Sequence, residues 1–150
     1  MRLTVHTDYA LRVLMYVAVR EQPRPTISAI AASYGISRNH LMKVVHQLGV
    51  AGYLETVRGK NGGLRLARPP EAIRLGEVIR STEPDLVLVP CFDPVNAACA
   101  ISPACRLREA LHQAQAAFLA VLDGYTLADL VANREALADL MRTAASLELA

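Results

Sequence analysis

Apolar residues recur at helical spacing almost from the start of the chain. Tyr9, Val13, Tyr16 and Val17 share one face of a helix predicted over residues 7–20. Pro23 and Pro25 end it. Thr26 then offers an N-cap oxygen to a second helix carrying Ile27, Ile30 and Ala31, which Gly35 stops. Ser37 stands at the cap of a third helix whose apolar stripe is Leu41, Val44, Val45 and Leu48, with Gly49 and Gly52 closing it. Residues 53–57 and 64–66 predict two short strands. Between them runs Arg58-Gly59-Lys60-Asn61-Gly62-Gly63, where positive φ is easy and a hairpin turn is favoured. Helix, short glycine-containing turn, helix, then a basic β-hairpin is the order of a winged helix-turn-helix.

The pattern changes after Pro69-Pro70. Residues 75–80 predict a short helix, and 83–102 an irregular stretch. The chain turns helical again from Pro103, with Leu107, Leu111, Ala114, Phe118 and Val121 spaced four, three, four and three apart. That is a seam of about two heptads, suited to packing along a partner helix. Gly124 ends it, and further helices are predicted over 127–132 and 134–147. The expected fold is therefore mainly α. It has an N-terminal winged helix-turn-helix with a small β-hairpin wing, plus a long C-terminal dimerisation helix. Residues 1–70 form the expected DNA-binding domain, 71–102 a connecting helix and cysteine loop, and 103–150 the dimerisation helix and C-terminal helices. A membrane span needs about 20 apolar residues, and no stretch comes near that. Asp8 and Arg12 break the apolar segment around 11–19 that would otherwise resemble a signal sequence. A soluble cytoplasmic protein is expected, with no membrane partner.

Charge sharpens this picture. The net charge is only +2, but residues 1–68 hold ten Lys and Arg against three Asp and Glu, while 69–150 hold six against eleven. A basic half built as a winged helix points to double-stranded DNA. The N-terminal residues of the second helix of such a motif enter the major groove. Here they are Ser37, Arg38, Asn39 and His40, with Lys43 one turn on. Arg pairs bidentately with guanine and Asn with adenine. Arg58, Lys60 and Asn61 at the wing tip are placed for the minor groove or phosphates, and Arg12 and Arg65 for phosphates. A solvated helix face would also carry polar residues. The wing and the basic half together favour DNA.

All three cysteines fall in one segment, as Cys91-x7-Cys99-x5-Cys105. Three is too few and too odd for a disulfide framework. The gaps match neither the paired spacing of zinc fingers nor that of ferredoxins. A loop of this length still allows three thiolates to surround one centre, and soft thiolates select iron–sulfur clusters, zinc or copper(I). Three thiolates leave one ligand to find, with Glu83, Asp85, Asp93 and His112 nearby in sequence. Nothing points to an enzyme: there is no G-x-S-x-G, no Walker loop and no dinucleotide fingerprint.

Two segments of the basic half resemble the Rrf-type winged-helix transcriptional regulators of bacteria. They are Leu3-Thr4 with Asp8-Tyr9-Ala10-Leu11-Arg12, and the wing Arg58-Gly59-Lys60-Asn61-Gly62-Gly63. Three tail segments resemble the nitric-oxide-sensing NsrR branch of that family. They are Cys99-x-Ile101-x-Pro103-Ala104-Cys105-Arg106-Leu107, Phe118-Leu119, and Leu122-Asp123-x-Tyr125-Thr126-Leu127-Ala128-Asp129-Leu130. The sister branch that regulates cluster assembly places a His shortly after its last Cys, where this chain has Leu107, Arg108 and Glu109. The resemblance covers nearly the whole chain. It implies a homodimeric repressor that binds an imperfect palindromic operator and carries an iron–sulfur cluster, 4Fe–4S rather than 2Fe–2S, with nitric oxide as the signal. It also implies Cys91, Cys99 and Cys105 as ligands from one subunit and Asp8 as a ligand from the other. The gap of seven before Cys99 is longer than in such relatives. Two alternatives remain open: a 2Fe–2S regulator answering general redox or iron status, and a DNA-binding protein with a structural metal.

Overall fold

The computed structural model describes residues 2–93, 95 and 99–147, with side chains as far as residue 142. Its first helix, α1 (Val5–Val19), is the axis of the fold. Thr4 caps it by accepting the Thr7 N–H at 3.2 Å. Ala10, Val13, Leu14, Tyr16, Val17, Ala18 and Val19 are all buried, so the helix is covered on most sides. The helix begins two residues before the predicted start, because Thr4 rather than a later residue supplies the cap.

The predicted helix-turn-helix follows as α2 (Ile27–Tyr34) and α3 (Arg38–Val50). Thr26 accepts the Ala29 N–H at 3.1 Å, and Gly35 leaves α2 in the left-handed conformation (φ 61). The turn is therefore built from local sequence alone. Ser37 occupies the N-cap position of α3, but its hydroxyl makes no capping bond. Gly49 does not end α3; the helix runs one residue past it. Leu41, Val44, Val45 and Leu48 are buried as the stripe predicts.

The wing is an antiparallel pair, β1 (Leu54–Val57) and β2 (Gly63–Leu66), in the register Leu54↔Leu66 through Val57↔Gly63. A short turn of 3-10 helix (Pro70–Ala72) leads to α4 (Leu75–Thr82), which runs two residues past the predicted end. Two more such turns lie in the cysteine segment: Pro90–Phe92, which contains Cys91, and Ser102–Ala104, just before Cys105. The long helix α5 (Arg106–Asp123) follows, then α6 (Leu127–Leu130) and α7 (Arg134–Leu147).

The C-terminal helices do not stand apart from the N-terminal ones. Leu127 and Met141 belong to the same hydrophobic core as Leu14 and Leu41. The Ser33 hydroxyl of α2 donates to the Met141 carbonyl of α7 at 2.8 Å. Backbone bonds from Leu75 to Tyr125 and from Leu127 to Ile73 stitch the starts of α4 and α6 together. Helix α5 differs: none of its side chains is buried against the described residues, and Leu107 and Val121 of its seam are 67% and 62% exposed.

Candidate nucleic-acid interface and cysteine loop

Burial of the apolar stripe turns the other side of α3 outward. Arg38, Asn39, His40, Met42, Lys43 and His46 are all exposed, as is Ser37 at the cap. Sequence reasoning found the first turn of this face but passed over Met42 and His46. Both follow from Arg38 at helical spacing, four and eight residues on. His40 is the flank residue, its ring 6.4 Å from that of Tyr9 on α1.

The wing tip is held by its neighbours. Asn61 takes a left-handed φ of 67 and Gly59 one of 92, and the Gly62 N–H closes the turn on the Gly59 carbonyl at 2.9 Å. Arg24 donates to the Asn61 carbonyl at 3.1 Å, and the Leu64 N–H to the Pro25 carbonyl at 2.8 Å. Thus the segment that starts α2 also fixes the hairpin. Gly63 is needed at this approach: a Cβ there would lie 2.8 Å from the Pro25 oxygen. These two positioning contacts, Arg24 and Gly63, join residues far apart in sequence and carry no local signal.

The cations expected to meet DNA divide into two groups. Arg38, Lys43, Arg58 and Lys60 are exposed and have no ion-pair partner among the described residues. Arg65 is bound across the hairpin to Glu55, its Nε 2.8 Å from the carboxylate. Arg12 pairs with Asp8 at 2.9 Å and lies 5.7 Å from the Tyr34 ring centre. Burial pushes the Tyr34 hydroxyl up to about 12, against the lowering effect of Arg12. Of the cations expected to meet DNA, those of α3 and the wing tip are thus uncommitted, and the two predicted phosphate contacts Arg12 and Arg65 have carboxylate partners of their own.

The cysteine segment leaves the end of α4. Two hydrogen bonds hold that end to the helix-turn-helix half. Gln47 of α3 donates to the Ser81 carbonyl at 3.0 Å, and Glu83 accepts the Thr4 N–H at 2.8 Å at the start of α1. Burial tends to raise the Glu83 carboxyl, but hydrogen bonds from Thr7 and Thr4 outweigh it and hold the group below its ordinary range. Glu83, a nearby oxygen in sequence, is thereby committed to α1. At its far end α5 is clamped to α4: Arg80 grips the Asp123 carboxylate with two bonds of 2.7 and 2.5 Å. Gly76 leaves room for that carboxylate, which a Cβ would strike.

Cys91 and Cys105 are half-buried, Cys99 is exposed, and all three are free thiols. Cys105 is the N-cap of α5, its sulfur accepting the Arg108 N–H at 3.4 Å, where the helix dipole favours an anionic group. Phe92, next to Cys91, stacks on His112 of α5 at 3.8 Å between ring centres. Asp8 lies half-exposed on the first turn of α1. Among the described residues no three His, Cys, Asp or Glu side chains are grouped to hold a metal within one chain. The donor set nonetheless fits a soft iron centre: three thiols on one loop, one of them at a helix N-terminus. Ligands that gather only on binding are usual for such loops.

Comparison with known proteins agrees with this geometry. The family model described as an iron-dependent transcriptional regulator, Rrf2, matches residues 3–133. The HTH-type transcriptional regulator NsrR of Geobacillus kaustophilus is 51% identical over 143 residues, covering 95% of this chain and 97% of that protein. NsrR of Bacillus subtilis is 51% identical over the same length, covering 95% and 98%. Among solved structures, CymR, the global cysteine regulator of B. subtilis, superimposes with a TM-score of 0.73 at 26% identity, covering 89% of this chain and 98% of that one. T. potens IscR gives 0.71 at 25%, covering 89% and 88%. These relatives are regulators of transcription rather than enzymes, and among the described residues no helix is long and apolar enough to cross a membrane. The chain, a winged-helix transcriptional regulator, belongs to the Rrf2 family.

Proposed function

We propose that this protein is a homodimeric repressor whose grip on an imperfect palindromic operator depends on an iron–sulfur cluster held by Cys91, Cys99 and Cys105, with nitric oxide as its signal. The observation that carries it is the junction at the end of α4. There the cysteine loop begins, and there Ser81 and Glu83 hold α3 and α1. The iron-dependent family and the NsrR-named relatives support the choice of centre.

In this account residues 1–70 read DNA, 71–102 carry the sensor, and 103–150 pair the subunits. The seam of α5 from Leu107 to Val121, exposed at both its ends, packs on its counterpart in a second copy. Cys91, Cys99 and Cys105 would hold a 4Fe–4S cluster, whose iron would supply the group that responds to nitric oxide. Cys91 and Cys105 then pin the loop at both ends, and Asp8 exchanges its exposed bond to Arg12 for the partner's site. An exposed pair of this kind is worth under about 1 kcal/mol, so releasing it is a small cost. Ligation across the dimer fixes the two α1 helices. Through Glu83 and Gln47 it fixes the two α3 helices at a spacing of about 34 Å, one turn of DNA. Loss of ligation removes that constraint, and the free cations of α3 and the wing retain only salt-sensitive, sequence-independent affinity.

The test compares anaerobically purified protein with its Cys91→Ser, Cys99→Ser, Cys105→Ser triple variant. Both are titrated with a selected operator and with random duplex of the same length. The expected result is that the variant remains folded by circular dichroism, keeps its affinity for random duplex and loses most of its preference for the operator. Equal preference in both proteins would refute cluster control.

A further inference from the structure

We infer that Met42 is a specificity-determining residue that reads the 5-methyl group of a thymine in each half-site. This inference rests on the DNA-binding reading above and goes beyond it. The outward face of α3 carries Arg38, Asn39, Lys43 and His46, all polar. Met42 is the apolar residue in the N-terminal part of that face, 49% exposed and one helical turn from Arg38, whereas Val50, 77% exposed, sits at the last residue of α3. It is not a core residue displaced outward: Leu41, Val44, Val45 and Leu48 already fill the buried side.

A half-exposed apolar side chain on a free surface needs no explanation. This surface, however, is flanked by the uncommitted cations Arg38 and Lys43, whose charge would draw it against the polyanion. Once it enters the major groove, water leaves, and an apolar group needs an apolar partner. The edges of the base pairs offer one such group there, the thymine methyl; the remainder are hydrogen-bond donors and acceptors. The thioether chain is unbranched and adapts to a methyl without a fixed rotamer. Arg38, a turn earlier, is the residue suited to guanine. A guanine and a thymine read by neighbouring residues of one helix follow from this arrangement.

The experiment uses duplexes selected from a random pool by the wild-type protein under anaerobic conditions. Each thymine of the selected site is replaced singly by deoxyuridine, which keeps base pairing and removes only the methyl. Wild type, Met42→Ala and Met42→Leu are titrated against every duplex. At one thymine per half-site, wild type is expected to lose about fourfold in affinity, the value of one buried carbon. Met42→Ala should show no loss there, because its methyl contact is already gone, and Met42→Leu should keep most of it. Deoxyuridine penalties that are the same in wild type and Met42→Ala at every position would overturn the inference while leaving the DNA-binding reading intact. Failure of the wild-type protein to enrich any sequence would overturn both.

Discussion

Replacing Gly63 with Ala tests how the wing is positioned. Gly63 opens β2 with φ 150, a conformation that L side chains rarely adopt. A Cβ there would lie 2.8 Å from the Pro25 oxygen and 2.9 Å from the Arg24 Cβ, so backbone must move apart. Unfavourable φ costs about 1–2 kcal/mol. Separation also breaks the Leu64 N–H bond to the Pro25 carbonyl, 2.8 Å long, at about 1 kcal/mol more. The total, about 2–3 kcal/mol, corresponds to a melting temperature lower by about 4–12 °C for a domain of this size. Gly52→Ala is the control. It also has positive φ (74), but a Cβ there meets nothing within 4 Å. It should bear the conformational cost alone and melt a few degrees above Gly63→Ala. In the proposed complex, displacing the wing also withdraws Arg58 and Lys60 from the DNA, so the slope of log affinity against log salt should fall by about 1.8 per chain in Gly63→Ala. Thermal unfolding by circular dichroism and salt titrations of DNA binding read both effects. Equal melting temperatures and equal salt slopes in the two variants would refute the claim that the close approach to Pro25 sets the wing.

Further outcomes follow from the same geometry. Arg38→Ala should weaken operator binding by about 1–3 kcal/mol and random-duplex binding far less; equal losses in a competition titration would end its base-reading role. Lys60→Ala should lower the salt slope by about one unit, whereas Arg65→Ala, already paired with Glu55, should leave it nearly unchanged. Glu83, held below its ordinary value of 4.5, stabilises the protein above that value, and the contribution is lost as pH falls through its lowered folded-state value. Denaturant midpoints measured from pH 6 downward should therefore drop in the wild type over a window that is absent in Glu83→Gln, and parallel curves would count against the contact. Leu107→Glu on the exposed seam of α5 should yield monomers by sedimentation while leaving the fold intact, since that side chain is 67% exposed; an unchanged dimer would move the interface elsewhere.

Much of this molecule was legible in the chain where the cause is local. Thr26 and Gly35 bound α2 through a side-chain oxygen and a positive φ, and both act within four residues. The stripe of α3 and the glycine run of the wing are likewise local patterns. What escaped depends on pairings between distant residues. Arg65 reads as a free cation until the hairpin register sets it opposite Glu55. Glu83 reads as a spare ligand until α4 delivers it to Thr4, 79 residues away. The return of α7 onto α2, sealed by Ser33 and Met141 at a separation of 108 residues, has no sequence signal of its own. Ser37 is the reverse case: the right residue at the right position, making no capping bond. Met42 and His46 were within reach, because the wheel that buries Leu41 and Val45 exposes them.

The central claim is that ligation of the three cysteines governs operator binding. Its most direct test is iron and sulfide content per chain, measured on anaerobically purified protein together with operator affinity, before and after nitric oxide. The account predicts about four iron and four sulfide per chain, visible absorption bleached by the gas, and operator preference lost in step with it. A colourless protein that holds zinc, resists reconstitution and binds its operator equally well in either condition would contradict it.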